Sequence, residues 1–222
     1  MKKLYTSLLS LLAAAALPTA AQAQSRSALI HLKSGEVKEI PCNEIDSLTF
    51  ATLGYSYLKQ DYDVVPTTFS GSYYNTETIG NFSLSFQNMP LASGGSPSGA
   101  GQLVNLELIT RSCSPMDINA IAGDYTIVDA NNRSAWAVGT FLSGTMTGVG
   151  TWSLPLGAYI RIFDEQGKGT SEYGFAKSGT VKCTVEDGQV TFDVDITTES
   201  GRKFTMHYTG DASRIYDYSE SY

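Results

Sequence analysis

Residues 178–210, SGTVKCTVEDGQVTFDVDITTESGRKFTMHYTG, alternate apolar and polar side chains almost without a break. Period two belongs to a β-strand with one buried face, whereas a helical stripe would recur every 3.6 residues. Asp187-Gly188 and Ser200-Gly201 interrupt the alternation with turn-forming pairs, so the stretch predicts three antiparallel strands, at 179–185, 189–197 and 203–209. Val190, Phe192, Val194 and Ile196 then face inward with Phe204, Met206 and Tyr208, each worth roughly 1.5–3 kcal/mol when buried. Asp193, Asp195 and His207 fall on the opposite phase. A one-residue slip would drive both aspartates into the core, so the pattern itself specifies the register.

The same period runs through the rest of the chain. Ile30 and Leu32 alternate with His31 and Lys33, Ser34-Gly35 turns, and Val37 to Ile40 returns, which predicts a hairpin within 24–52. Further strands are expected at 67–74, 81–88, 103–110, 123–129 and 134–142, with a hairpin from AYIRIFDE and SEYGFA. MPLASGGSPSGAGQ is loop composition, and GTMTGVGTW reads as a turn with an irregular strand. Ten or more short strands separated by turn signals predict an all-β fold. An antiparallel β-sandwich is the expectation for 53–222, with a calycin-like β-barrel as the alternative.

Residues 1–23 are set apart. Lys2 and Lys3, the apolar Leu8 to Leu17 and the small-residue site Ala21-Gln22-Ala23 have the grammar of a secretory signal peptide. No cysteine follows the apolar core, so a lipid anchor is not expected. No later stretch approaches the roughly 20 apolar residues of a membrane helix. Export to the periplasm or the cell exterior is therefore expected. Removing Lys2 and Lys3 from the 15 basic residues leaves 13 against 22 acidic ones, a formal charge of −9. That balance disfavours nucleic acid and anionic membrane as partners. Cys42, Cys113 and Cys183 stand far apart, which leaves room for one disulfide but supports neither a zinc site nor a redox pair. Cys183 is in phase with Val181 and Val185 and is expected to be a small buried residue.

Chemistry-bearing motifs are scarce. G-x-S-x-G, H-E-x-x-H and the phosphate-binding G-x-x-x-x-G-K do not occur. Asp193 and Asp195 lie about 7 Å apart along one strand face, but a straight strand cannot wrap a cation as a calcium loop does. Asp61 and Asp63 fail in the same way. No catalytic residue, metal or cofactor is assigned. The aromatics are the remaining candidates: Tyr73 and Tyr74 on opposite faces of one strand, and the large rings of Trp136 and Trp152, as platforms for a sugar or a peptide.

Two stretches carry a resemblance. IHLKSGEVKEIPCNEIDSLTF is similar to the N-terminal segment of many exported Bacteroidetes proteins, and residues 178–210 resemble the closing meander of uncharacterised secreted β-domains from the same bacteria. The resemblance implies a Gram-negative exported protein and brings no activity with it. Asp46-Ser47-Leu48 also resembles the O-glycosylation acceptor of these bacteria, and reads equally as a turn. The expected function is a non-catalytic exported binding or interaction module, with carbohydrate or host polymer as ligand. A carboxylate hydrolase and a lipocalin-like carrier of an apolar ligand are the alternatives.

Overall fold

A computed structural model of the chain describes residues 27–31, 37–45, 56–149 and 152–219. The leader and the Asp46-Ser47-Leu48 motif lie outside these residues. The chain divides into two compact units, Met1–Ala51 and Thr52–Tyr222. In the first, β1 (Ser27–His31) and β2 (Val37–Pro41) form the expected antiparallel hairpin, with Ser27 opposite Pro41 and His31 opposite Val37. Proline has no N–H for a ladder, and Pro41 is the last residue of its strand.

The second unit is built from strands. In order they are β3 (Ser56–Tyr57), β4 (Tyr62–Val64), β5 (Thr68–Asn75), β6 (Ile79–Gln87) and β7 (Gly101–Arg111). There follow β8 (Gly123–Val128), β9 (Thr140–Leu142), β10 (Thr145–Val149), β11 (Trp152–Leu156) and β12 (Tyr159–Phe163). The last four are β13 (Gly169–Glu186), β14 (Gln189–Thr198), β15 (Lys203–Asp211) and β16 (Ile215–Asp217). Helical structure among the described residues is limited to short 3-10 turns, and none of it is long and apolar enough to cross a membrane. The fold is all-β.

β10 and β11 pair only with each other, and the other twelve strands make one sheet. Its order is β16-β5-β6-β7-β9-β8-β13-β14-β15-β4, with β12 bonded to both β7 and β13 and β3 set against β13. Since β9 and β8 link the same two strands that β12 links, five strands close a hydrogen-bonded ring. Beyond the ring, β5–β6 and β14–β15 face one another: the Phe86 and Phe192 rings lie 5.1 Å apart and those of Phe69 and Tyr208 5.4 Å. The architecture thus has the two facing layers of a sandwich, made by one sheet that curls as a barrel does. Phe82, Leu84 and Phe86 of β6, Val104, Leu106 and Leu108 of β7, and Val190, Phe192 and Ile196 of β14 fill the space between, all fully buried.

β3, β4 and β16 fall where no strand was expected, and two of the expected strands take another form. The segments around 171–176 and 179–185 belong to a single 18-residue strand, β13. Gly179 marks no turn: a Cβ there would lie 2.2 Å from the Asp195 carbonyl oxygen, so glycine permits the close approach of β14. Ahead of it the register shifts between Ala176 and Ser178, which leaves Lys177 as a bulge. The strand expected at 134–142 shrinks to Thr140–Leu142. Local bonds take up the earlier backbone, with the Trp136 N–H donating to the Arg133 carbonyl at 3.2 Å and the Thr140 hydroxyl donating to the Ala137 carbonyl at 2.6 Å. All three cysteines are free thiols. Cys183 faces the core, and burial pushes its thiol up to about 12, which keeps it neutral and inert.

Candidate functional site

The alternation of β5 places Tyr73 and Tyr74 on opposite faces, and the two rings take different work. Tyr73 is fully buried against Phe82, with ring centroids 4.6 Å apart. Its hydroxyl accepts the Cys113 N–H at 2.9 Å and lies 3.1 Å from the Cys113 carbonyl and 3.2 Å from its sulfur. Burial, then the neighbouring thiol, raises the phenol well above its ordinary range. Tyr73 is a structural rivet, correcting its reading as a ligand platform. It ties β5 to the segment after β7, where the Cys113 sulfur also accepts the Asp117 N–H at 3.2 Å.

Tyr74 faces out. Its ring stacks on Tyr218 at 5.4 Å, with the planes within 11° of parallel. The parallel pairing of β16 with β5 brings Tyr218 there, and the Tyr218 N–H donates to the Tyr73 carbonyl at 2.9 Å. Beside this pair lies an open cleft of about 850 Å³, lined by Tyr74, Asn75, Glu77, Ser112, Ser114 and Ser219 among others. Ser112 is oriented by donating to the Thr76 carbonyl at 2.6 Å, and the Ser114 and Ser219 hydroxyls lie 3.4 Å apart. Hydroxyls and an amide with lone pairs to spare, next to a flat aromatic face, form a surface able to grip a polyhydroxylated ligand.

Trp136 lies elsewhere. It packs against a small second core of Ile109, Ala130 and Leu142, and the Arg133 guanidinium covers its ring at 5.5 Å. Its indole nitrogen is buried without an acceptor. The ring is engaged in packing and does not join Tyr74. Trp152 begins β11, but its side chain lies outside the described residues. Tyr218 and Ser219 escaped the sequence reading. The only hint was the tyrosine-rich end of the chain, IYDYSESY, and nothing local in it points to β5 some 140 residues earlier.

No family model, curated protein or solved structure matches this chain.

The polar phase of the C-terminal meander forms two cross-strand rows on the outer sheet face. One runs Asp124, Lys182, Asp193, His207; the other runs Thr126, Thr180, Asp195, Thr205, Asp63. His207 Nδ1 sits 2.6 Å from Asp193 Oδ1, and the Thr205 hydroxyl donates to Asp63 at 2.9 Å. Asp61 accepts the Lys203 N–H at 2.9 Å. The two aspartates of QDYDVV therefore fasten β4 to β15. Among the described residues no three His, Cys, Asp or Glu side chains are grouped so as to hold a metal ion.

Proposed function

We propose that the chain is an exported, non-catalytic binding module that holds a carbohydrate or a similar hydroxyl-rich host polymer at the Tyr74–Tyr218 edge. The observation that carries this reading is the near-parallel tyrosine pair beside a cleft of hydroxyl and amide groups. A sugar presents C–H groups on the faces of its ring and hydroxyls around the rim. The first suit an aromatic face and the second suit Asn75, Ser112 and Ser114. Glu77 is the single charged side chain among the lining residues, which favours an uncharged polymer over a sulfated or uronic one. Export is inferred from the leader, and the resemblance to secreted Bacteroidetes domains agrees with it.

The hydrolase alternative draws little from Glu107 and Glu172. Glu107 accepts the Gly157 N–H at 3.1 Å, and Glu172 accepts the Lys59 N–H at 3.1 Å and the Tyr62 hydroxyl at 3.2 Å, so both are committed to the fold. The carrier alternative draws no support from the interior, which aromatic side chains fill. Glycan-array screening followed by calorimetry tests the proposal. A neutral glycan is expected to bind, with Tyr74→Ala or Tyr218→Ala each weakening it by at least about tenfold, or 1.4 kcal/mol. Absence of any glycan ligand, or binding by both variants as tight as that of the unaltered chain, would overturn it.

A further inference from the structure

β13 changes partners partway along one edge. Up to Phe175 it pairs with β12, from Thr180 onward it pairs with β8, and between the two it bulges at Lys177. A cleft of about 340 Å³ opens at this split, with Ile127, Val128, Asp129, Ser143, Lys177 and Glu199 among its lining. The walls are held by backbone bonds. Ser143 N–H donates to the Val128 carbonyl at 2.8 Å, Gly144 N–H to Ala176 at 3.2 Å, and Glu199 N–H to Phe175 at 3.1 Å. Bulges occur where a sheet re-aims a side chain, and this one sits beside an acid.

Glu199 is the unusual member. Its Oε2 is buried and has no hydrogen-bond partner, a destabilising arrangement in a protein that otherwise satisfies its buried acids. Burial pushes the carboxyl up to about 7, partly offset by the N–H groups of Glu199 and Phe175 and by the Lys177 charge. The other charged groups facing the cleft are Lys177 from β13 and Asp129 from the turn after β8, while the β9–β10 link contributes only Ser143 and Gly144. With Glu199 ionised, two carboxylates oppose one ammonium beside apolar walls. An anion would meet net repulsion, and a neutral donor would gain a charge-assisted hydrogen bond but no attraction between opposite charges.

We propose that this cleft binds a small organic ammonium, with its charged head on the Glu199 carboxylate and its alkyl part against Ile127 and Val128. Ligand and proton then compete for one carboxyl, so binding strengthens as the acid ionises and levels off above neutrality.

Titration of the whole exported chain with n-butylammonium chloride, followed by NMR and set against n-butanol and butyrate, tests this. The ammonium is expected to saturate the cleft, with affinity rising up to about tenfold per pH unit between about pH 5 and 7. Glu199→Gln should abolish binding, Lys177→Met should strengthen it, and Tyr74→Ala should leave it unchanged. The wild-type pH profile needs no variant to fold. Equal binding of n-butanol, a flat profile, no saturation, or ammonium binding retained in Glu199→Gln would each overturn the proposal.

Discussion

His207 Nδ1 and Asp193 Oδ1 meet at 2.6 Å across β14 and β15, yet both side chains stay more than half exposed, at 69% and 58%. The pair lies on the solvated face of a sheet whose other face is core. An exposed contact of this kind is worth about 0–1 kcal/mol. A double-mutant cycle of Asp193→Ala and His207→Ala in urea is expected to give a coupling within that range. A coupling of several kcal/mol would show that the face is more than a wet surface.

Tyr73 and Tyr74 are neighbours with opposite duties. Tyr73→Phe leaves the Cys113 N–H without its acceptor and should cost about 1–3 kcal/mol. Tyr74→Phe should be close to neutral in the same denaturation experiment and should retain most glycan binding, because the stacking face survives.

Glu172 anchors the chain that leads into the sheet. It is 7% exposed and accepts from the Lys59 N–H and the Tyr62 hydroxyl, and its negative charge adds to burial in raising the Tyr62 phenol. Glu172→Ala strands both donors and is expected to cost about 2–4 kcal/mol. Lys59→Ala, at a side chain 78% exposed, should cost under about 1 kcal/mol. Thermal melts of the two variants separate these outcomes.

Gly157 and Gly188 share a backbone φ of +77°, but their surroundings differ. Nothing lies within 4 Å of a Cβ built at Gly188, whereas at Gly157 the Ser143 carbonyl oxygen would be 2.0 Å away. Gly188→Ala should therefore cost only the left-handed penalty of about 1–2 kcal/mol. Gly157→Ala adds a backbone collision and displaces the N–H that Glu107 accepts, so loss of soluble folded protein is the expected readout.

Glu199 makes stability depend on pH in a defined direction. Its folded-state value of about 7 lies above the ordinary 4.5, so between these limits the native state holds a proton that the unfolded chain has released. Stability then falls as pH rises from about 4.5 through 7, and the loss is complete above that window. Melting temperatures of Glu199→Gln relative to wild type should climb across the same window and level off beyond it.

The C-terminal meander was legible almost to the residue, since 189–197 was expected and β14 spans Gln189–Thr198. There, alternation, Asp-Gly turn chemistry and burial all agree. Legibility failed where a residue has two physical uses. Ser178-Gly179 has turn composition, but Gly179 serves a close strand approach inside β13. Trp136 is large enough for a platform, but Ile109, Ala130 and Leu142 offered it a place to pack.

Period-two patterning, a property of neighbours along the chain, determined by itself that this protein is all-β and which face of β14 is buried. Tertiary structure decided the rest. A single sheet forms both layers because β12 and the β9–β8 pair bridge β7 and β13. Tyr218 meets Tyr74 because β16 returns in parallel to β5, and Glu199 reaches its cleft because β13 changes partners. Those pairings depend on which distant edges find one another with their backbone groups satisfied, and the alternation of any one segment fits many such partners equally well.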